Sequence, residues 1–215
     1  MSVIVARPIS SGGSGGGGGT SLVLYDENVS APTPPSAAAD NSIALGSGAQ
    51  VDSNAINSLA IGDQSLSRNV GGVVQASGRF GSTGDAQAGR YLLRGHTIDG
   101  NETELFIDGT AGSARLSIPD DATWTFKVTF TGHRTDIQDG HAGFTVSGVV
   151  YRNAGANTTT ILGKASKDVI AKTNRQWDVA VSADTTHGTL KLTCTGQSGK
   201  TIRWVALVET VEVTN

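Results

Sequence analysis

Ser42, Ala44 and Gly46 recur sixteen residues later as Ser58, Ala60 and Gly62, and the aliphatic pair Ile43 and Leu45 is answered by Leu59 and Ile61. The segment from Asn41 to Ser65 is therefore an internal repeat. A unit of two aliphatic residues, one alanine and one glycine has too little apolar surface to fold alone, so it must stack on neighbours as repeat coils do. One chain supplies two clear copies, too few for a free-standing solenoid. The missing neighbours are expected from other copies of the same chain, with Ile43, Leu45, Gly46, Leu59, Ile61 and Gly62 forming the shared shaft.

The rest of the composition points the same way. Among 215 residues 29 are glycine, 16% are charged and 5% are aromatic, which disfavours helix and supplies many turns. The net charge of −3 argues against nucleic acid, whose phosphates need a basic excess. Arg7, Arg68 and Arg79 are the only basic residues before Arg90, and from Arg90 onward basic and acidic residues balance at thirteen each. The lone Cys194 excludes an internal disulfide and fits folding in a reducing host cytoplasm. It shares parity with Leu190 and Leu192, which reads as a buried apolar position. No stretch approaches the ~20 apolar residues of a membrane-spanning helix, so membrane insertion is not expected.

Read in order, residues 1–40 are expected to be an anchor rather than a domain. Val3-Ile4-Val5 is too short for a secretory core, Gly15 to Gly19 form a hinge, and Pro32, Pro34 and Pro35 stiffen a spacer. The strand-like Thr20-Ser21-Leu22-Val23-Leu24-Tyr25 suits a peptide that adds itself to a sheet edge on a larger particle. Repeat coils follow over 41–68, and 69–89 is a short neck or a surface loop. From 90 to 215 the pattern changes to period two. Thr123 to Phe130 places Trp124, Phe126, Val128 and Phe130 on one face and Thr123, Thr125, Lys127 and Thr129 on the other. Some ten short strands with turns such as Asp99-Gly100-Asn101, Asp108-Gly109 and His187-Gly188 predict an antiparallel β-sandwich, jelly-roll-like, with Trp124, Phe126, Phe144, Trp177 and Trp204 in its core. Trp177, at a strand start, is expected to be the most exposed tryptophan. The fold class is all-β: a β-coil shaft shared between copies of the chain, followed by a C-terminal knob.

Two resemblances attach to these residues. The Ser-aliphatic-Ala-aliphatic-Gly pattern of 42–46 and 58–62 resembles the head repeat of trimeric autotransporter adhesins, which also occurs in bacteriophage fibres and implies three chains around one axis. A true autotransporter carries an export signal and a membrane anchor, and the chain shows neither. Gly89-Arg90-Tyr91-Leu92-Leu93-Arg94, Leu105 to Gly109, Arg115 to Pro119, Trp177-Asp178-Val179 and Gly199 to Ala206 together resemble a C-terminal domain of tailed-bacteriophage fibres and appendages. That likeness implies location on the virion, at tail or head, and no assigned ligand.

Catalytic patterns are sparse. Asp120-Asp121 would be a carboxylate pair, but neighbours on a strand face opposite ways and Ile118-Pro119-Asp120-Asp121 reads as a turn. No Gly-x-Ser-x-Gly, His-Glu-x-x-His or Walker sequence occurs. The chain is thus expected not to be an enzyme and to need no cofactor. His133 and His141 bracket Asp136 and Asp139, yet the spacing matches no metal motif, and the segment reads as a polar turn without a metal. For ligand binding the candidates are Asp136, Gln138, Asp139 and His141, with Arg152, Asn153 and Asn157 from the next turn, polar side chains suited to carbohydrate hydroxyls and multiplied by trimeric avidity. The expected function is a virion fibre. It docks on another virion protein through residues 1–30 and attaches by its knob to host surface polysaccharide or an outer-membrane receptor. The alternative is a structural capsid or tail decoration.

Overall fold

The structure is a computed structural model. It describes residues 33–109, 112–136 and 139–215, with the backbone of 22–24. The expected docking segment over 1–30 and the glycine hinge lie outside the described residues, apart from Leu22–Leu24. The chain divides into two compact units at Gly89/Arg90, and among the described residues it is all-β except for one short 3-10 turn at Ala156–Thr158.

The first unit is a short β-solenoid of about three turns. Its strands are β1 (Leu22–Leu24), β2 (Ser36–Ala37), β3 (Ile43–Leu45), β4 (Gln50–Val51), β5 (Leu59–Asp63), β6 (Leu66–Ser67) and β7 (Val73–Ser77). Strands β1, β3, β5 and β7 form one parallel ladder, and β2, β4 and β6 form another, so each turn contributes one strand to each sheet. Parallel in-register stacking puts like positions above one another: Ala44 on Ala60 on Val74, and Ile43 on Leu59 on Val73.

This register corrects two expectations. The repeat has a third copy, Gly72-Val73-Val74-Gln75-Ala76, inside the segment expected to be a neck. It was hidden because Val73 follows Leu59 by fourteen residues where Leu59 follows Ile43 by sixteen, and because Gly72 and Ala76 replace the serine and the glycine. Leu22–Leu24 also pairs with β3 of its own chain rather than standing apart as an anchor.

The interior of the coils is thin. Ala39, Ala44, Ala49, Ala55, Ala60, Val51 and Val74 are buried together with Ser42, Ser58, Ser65 and Ser67. Two of the serines close turns: Ser42 Oγ donates to the Ala39 carbonyl (2.5 Å), and Ser58 Oγ donates to the Asn69 carbonyl (2.9 Å) and accepts from Gly72 N (3.2 Å). The larger aliphatics alternate to the other side, where Ile43, Leu45, Leu59 and Ile61 are half-buried and Val73 is 41% exposed. Gly46 and Gly62 stand in a column at positive φ, +112° and +92°. A Cβ on Gly46 would lie 2.6 Å from the Gly62 carbonyl oxygen, and one on Gly62 would lie 2.1 Å from that of Ala76. These two glycines are demanded by the close approach of successive coils within one chain.

The second unit is entered along β8 (Ala86–Thr97). It continues with β9 (Glu102–Glu104), β10 (Leu116–Ser117), β11 (Ala122–Arg134), β12 (His141–Arg152), β13 (Thr160–Ile161), β14 (Ser166–Lys172), β15 (Asp178–Asp184), β16 (Thr189–Thr195) and β17 (Ile202–Thr214). A large sheet runs β8-β17-β11-β12, with β13 and β14 along the far edge of β12, and a smaller one joins β15, β16, β10 and β9. Strand β11 pairs antiparallel on both sides along its whole length. The buried side chains of this unit include Trp124, Phe126, Phe130, Phe144 and Trp204 from the large sheet, and Leu190, Leu192, Cys194 and Val179 from the small one. Burial pushes the Cys194 thiol up, far from a reactive thiolate. Trp177 is 1% exposed, against the expectation of an open position, because its ring sits edge-on to Trp204 with centroids 5.9 Å apart.

Candidate functional site

The hairpin of β11 and β12 decides which polar residues meet. Its register pairs His133 with His141 at one end and Ala122 with Arg152 at the other. From His141 to Arg152 the extended strand covers roughly 36 Å, at about 3.3 Å per residue. The two groups of expected ligand-binding residues therefore lie at opposite ends of the sheet. Asp136, Asp139 and His141 gather at one end, Arg152, Asn153 and Asn157 at the other, and Gln138 lies outside the described residues. A single site made of all seven is corrected to two separate clusters. The sequence concealed this because it gave the turns but not the unbroken strand between them.

At the first end, Arg134 holds Asp136 through a bidentate pair, with the Lys200 ammonium 3.6 Å away. The Arg134 guanidinium pulls the Asp136 carboxyl down to about 2. Asp136 is thus committed within the protein. His133 and His141 stack across the strands with ring centroids 5.2 Å apart.

At the second end, Arg152 donates to the Ile118 carbonyl (2.6 Å) and pairs with Asp120 (2.7 Å), whose carboxylate also accepts from Gly155 N (3.0 Å). Arg152 therefore clamps two loops together, while Asn153 and Asn157 stay exposed beside it. Asp120 faces its arginine and Asp121 takes a left-handed turn conformation (φ 54°), so the two carboxylates do not form a pair.

The loop between β15 and β16 reaches the same end, where Gly188 N–H and C=O are both used and a Cβ would sit 2.7 Å from Arg152 Nη1. Here a constellation missed from the sequence appears. His187 Nδ1 is 2.7 Å from Asp184 Oδ2, and Asp184 Oδ1 accepts from the backbone of Thr186 and His187. Burial would raise the Asp184 carboxyl, but the His187 imidazole and these two N–H groups together hold it below its ordinary value. Asp184 is therefore an acceptor at neutral pH, and Nδ1 of His187 donates to it. Arg115 joins this group through Glu104 (2.9 Å) and Asp184 (3.9 Å), with its guanidinium over the Phe106 ring. The legible signal was Asp184-Thr-Thr-His187-Gly188, an Asx-type turn that returns an imidazole to its own carboxylate.

One further exposed feature belongs to the first unit. Asp85 accepts from the N–H groups of Phe80 (2.9 Å), Gly81 and Ser82 (both 2.6 Å), which hold its carboxyl below the usual range. The loop so fixed leaves Phe80 82% exposed.

No family model matches the chain, and no curated protein matches it. Among solved structures it is similar to a tailspike protein, gp49, of Acinetobacter baumannii bacteriophage Fri1, a capsular polysaccharide depolymerase. The identity is 12% and the TM-score 0.36, over 80% of this chain and 35% of that one. A second is the tailspike protein of Acinetobacter baumannii phage AM24, at 8% identity and a TM-score of 0.29, over 78% of this chain and 33% of that one. The chain spans about a third of the length of these structures. The expectation that the chain is not an enzyme is corrected at this point: a structure it is similar to is a depolymerase, so the non-enzymatic reading is withdrawn.

Proposed function

We propose that this chain is a homotrimeric bacteriophage tail appendage whose coil stack joins three copies and whose second unit acts at host surface polysaccharide. The observation that carries the reading is the inverted distribution of bulk in the coils. Alanine and serine fill the interior, while the rows Ile43-Leu59-Val73 and Leu45-Ile61 line the outside of one ladder. A solvated coil has no use for aliphatic rows on its outer face, and an assembly of copies does. The large sheet of the second unit has a comparable outer face, where Leu92, Val205, Val211 and Val213 are all about half exposed or more. The loops at the Arg152 end offer His187, Asn153 and Asn157 to hydroxyl-rich ligands, and repetition around an axis turns weak single contacts into avid ones.

Light scattering on the purified chain tests assembly. The expected mass is three times 22.0 kDa, and the double variant Leu59→Asp, Ile61→Asp is expected at the mass of one chain. A wild-type monomer would overturn the proposal. Purified capsular polysaccharide on a biosensor, with reducing ends counted in parallel, tests the second part. Binding or cleavage that falls at least about tenfold with His187→Ala and Asn157→Ala, the scale of one or two lost hydrogen bonds, supports the reading. Attachment only to assembled phage particles favours a decoration protein instead.

A further inference from the structure

We propose that His133 and His141 form a two-histidine clamp for a zinc ion at the open end of the β11–β12 hairpin. The two residues are direct cross-strand partners. Their rings stack with planes 22° apart, and their Nδ1 atoms are 3.3 Å from each other. A tetrahedral zinc with Zn–N bonds of about 2.0–2.1 Å sets two of its nitrogens about 3.3–3.4 Å apart. The observed separation is that edge.

Both rings are exposed, and χ2 of histidine is a soft torsion, so a modest turn of each ring converges the two lone pairs on one point. The surrounding charges oppose a cation only in part: Arg203 of β17, the direct partner of His133 on its other side, shares its exposed face, while the other basic groups are engaged. The Asp136 carboxylate is held by Arg134 and faces Lys200. Lys172, beside His141 on β14, directs its ammonium to the carbonyls of Arg175 and Trp177 and so stands committed away from the imidazoles. Asp139, exposed in the turn, adds a negative charge nearby. Thr173 fixes the backbone of His141 from the other side, accepting from its N–H (3.1 Å) and donating to its carbonyl (3.2 Å). Among the described residues no group of three or more potential ligands is gathered, so the protein supplies two nitrogens and the remaining positions go to water or an outside ligand. Such a site is exchangeable, unlike a closed four-ligand one. It also ties the two strands together, which stabilises the folded chain in proportion to zinc occupancy. The inference does not depend on the proposed function.

Calorimetric titration of the full chain with zinc chloride at pH 7.5 tests it. One zinc per chain is expected. His133→Ala and His141→Ala should each weaken binding at least about tenfold, and the double variant should abolish it, since chelation needs both rings. Long-range proton–nitrogen spectra should show zinc-dependent shifts at Nδ1 of these two histidines and none at His96 or His187. The melting temperature without zinc should be unchanged in the variants, as both side chains are exposed. The double variant binding zinc as tightly as the parent, or no binding to the parent at about 1 mM zinc, where even a weak two-ligand site would fill, would overturn the proposal.

Discussion

Gly62 sits in a left-handed conformation against the carbonyl of the coil above it, so its hydrogen is the largest substituent the position accepts. Gly62→Ala should lower unfolding stability by about 2 kcal/mol or more, combining the cost of positive φ for an L-residue with overpacking of backbone on backbone. Urea denaturation followed by circular dichroism measures it. Asp136 gives a second prediction. Its folded pKa of about 2 lies below the ordinary 3.8 of an aspartate. Its contribution is therefore complete above the unfolded value and fades as pH falls through the folded one. Carbon NMR of its carboxyl should titrate with a midpoint near 2, and Arg134→Ala should return the midpoint toward 3.8. At this scale the sequence was most legible where one residue decides the outcome. The glycines of the repeat and the parity of Cys194 could be read directly. Trp177 could not, because a tryptophan at a strand start shows its parity only once the opposing Trp204 is known.

Strand β11 shows how an element is built around one neighbour. Gly132 interrupts an otherwise bulky strand, and a Cβ there would lie 2.4 Å from the Trp204 ring. Gly132→Val should therefore unfold the second unit, and Trp204→Ala should cost about 3–5 kcal/mol by emptying the same space, both read by thermal melts. The period-two pattern that announced β11 is visible in the chain because the strand buries one face. The coil strands were harder. Their repeat shifts from sixteen to fourteen residues, and the equivalence of Gly71 to Asn41 and Asn57 is carried by a shared positive φ (63° beside 53° and 59°) rather than by identity. The candidate site failed at this scale too: turns can be read from Asp-Gly and Asn-Gly signals, but the length of strand between two turns decides whether their residues meet.

For the molecule as a whole, all three tryptophans lie in the second unit and are buried. Tryptophan fluorescence therefore reports that unit alone, while circular dichroism reports both. A fragment of residues 90–215 should melt at the same fluorescence midpoint as the full-length chain under monomeric conditions, because the core described above is drawn from within it. Val211→Lys on the outer face should leave that midpoint within about the ±0.5 kcal/mol equivalent typical of surface changes, yet lower the mass seen by light scattering. The all-β class and the change of texture near residue 90 were evident from period and glycine content. The separation of the two polar clusters was not, since it depends on which strands pair. The coil register has a consequence for growth. Every coil touches only the one before and the one after, and the alanine filling asks nothing of its length. Duplicating a sixteen-residue segment would extend the stalk by about 4.8 Å, one strand spacing, so such a chain can change its reach by gene duplication without redesigning anything it already holds.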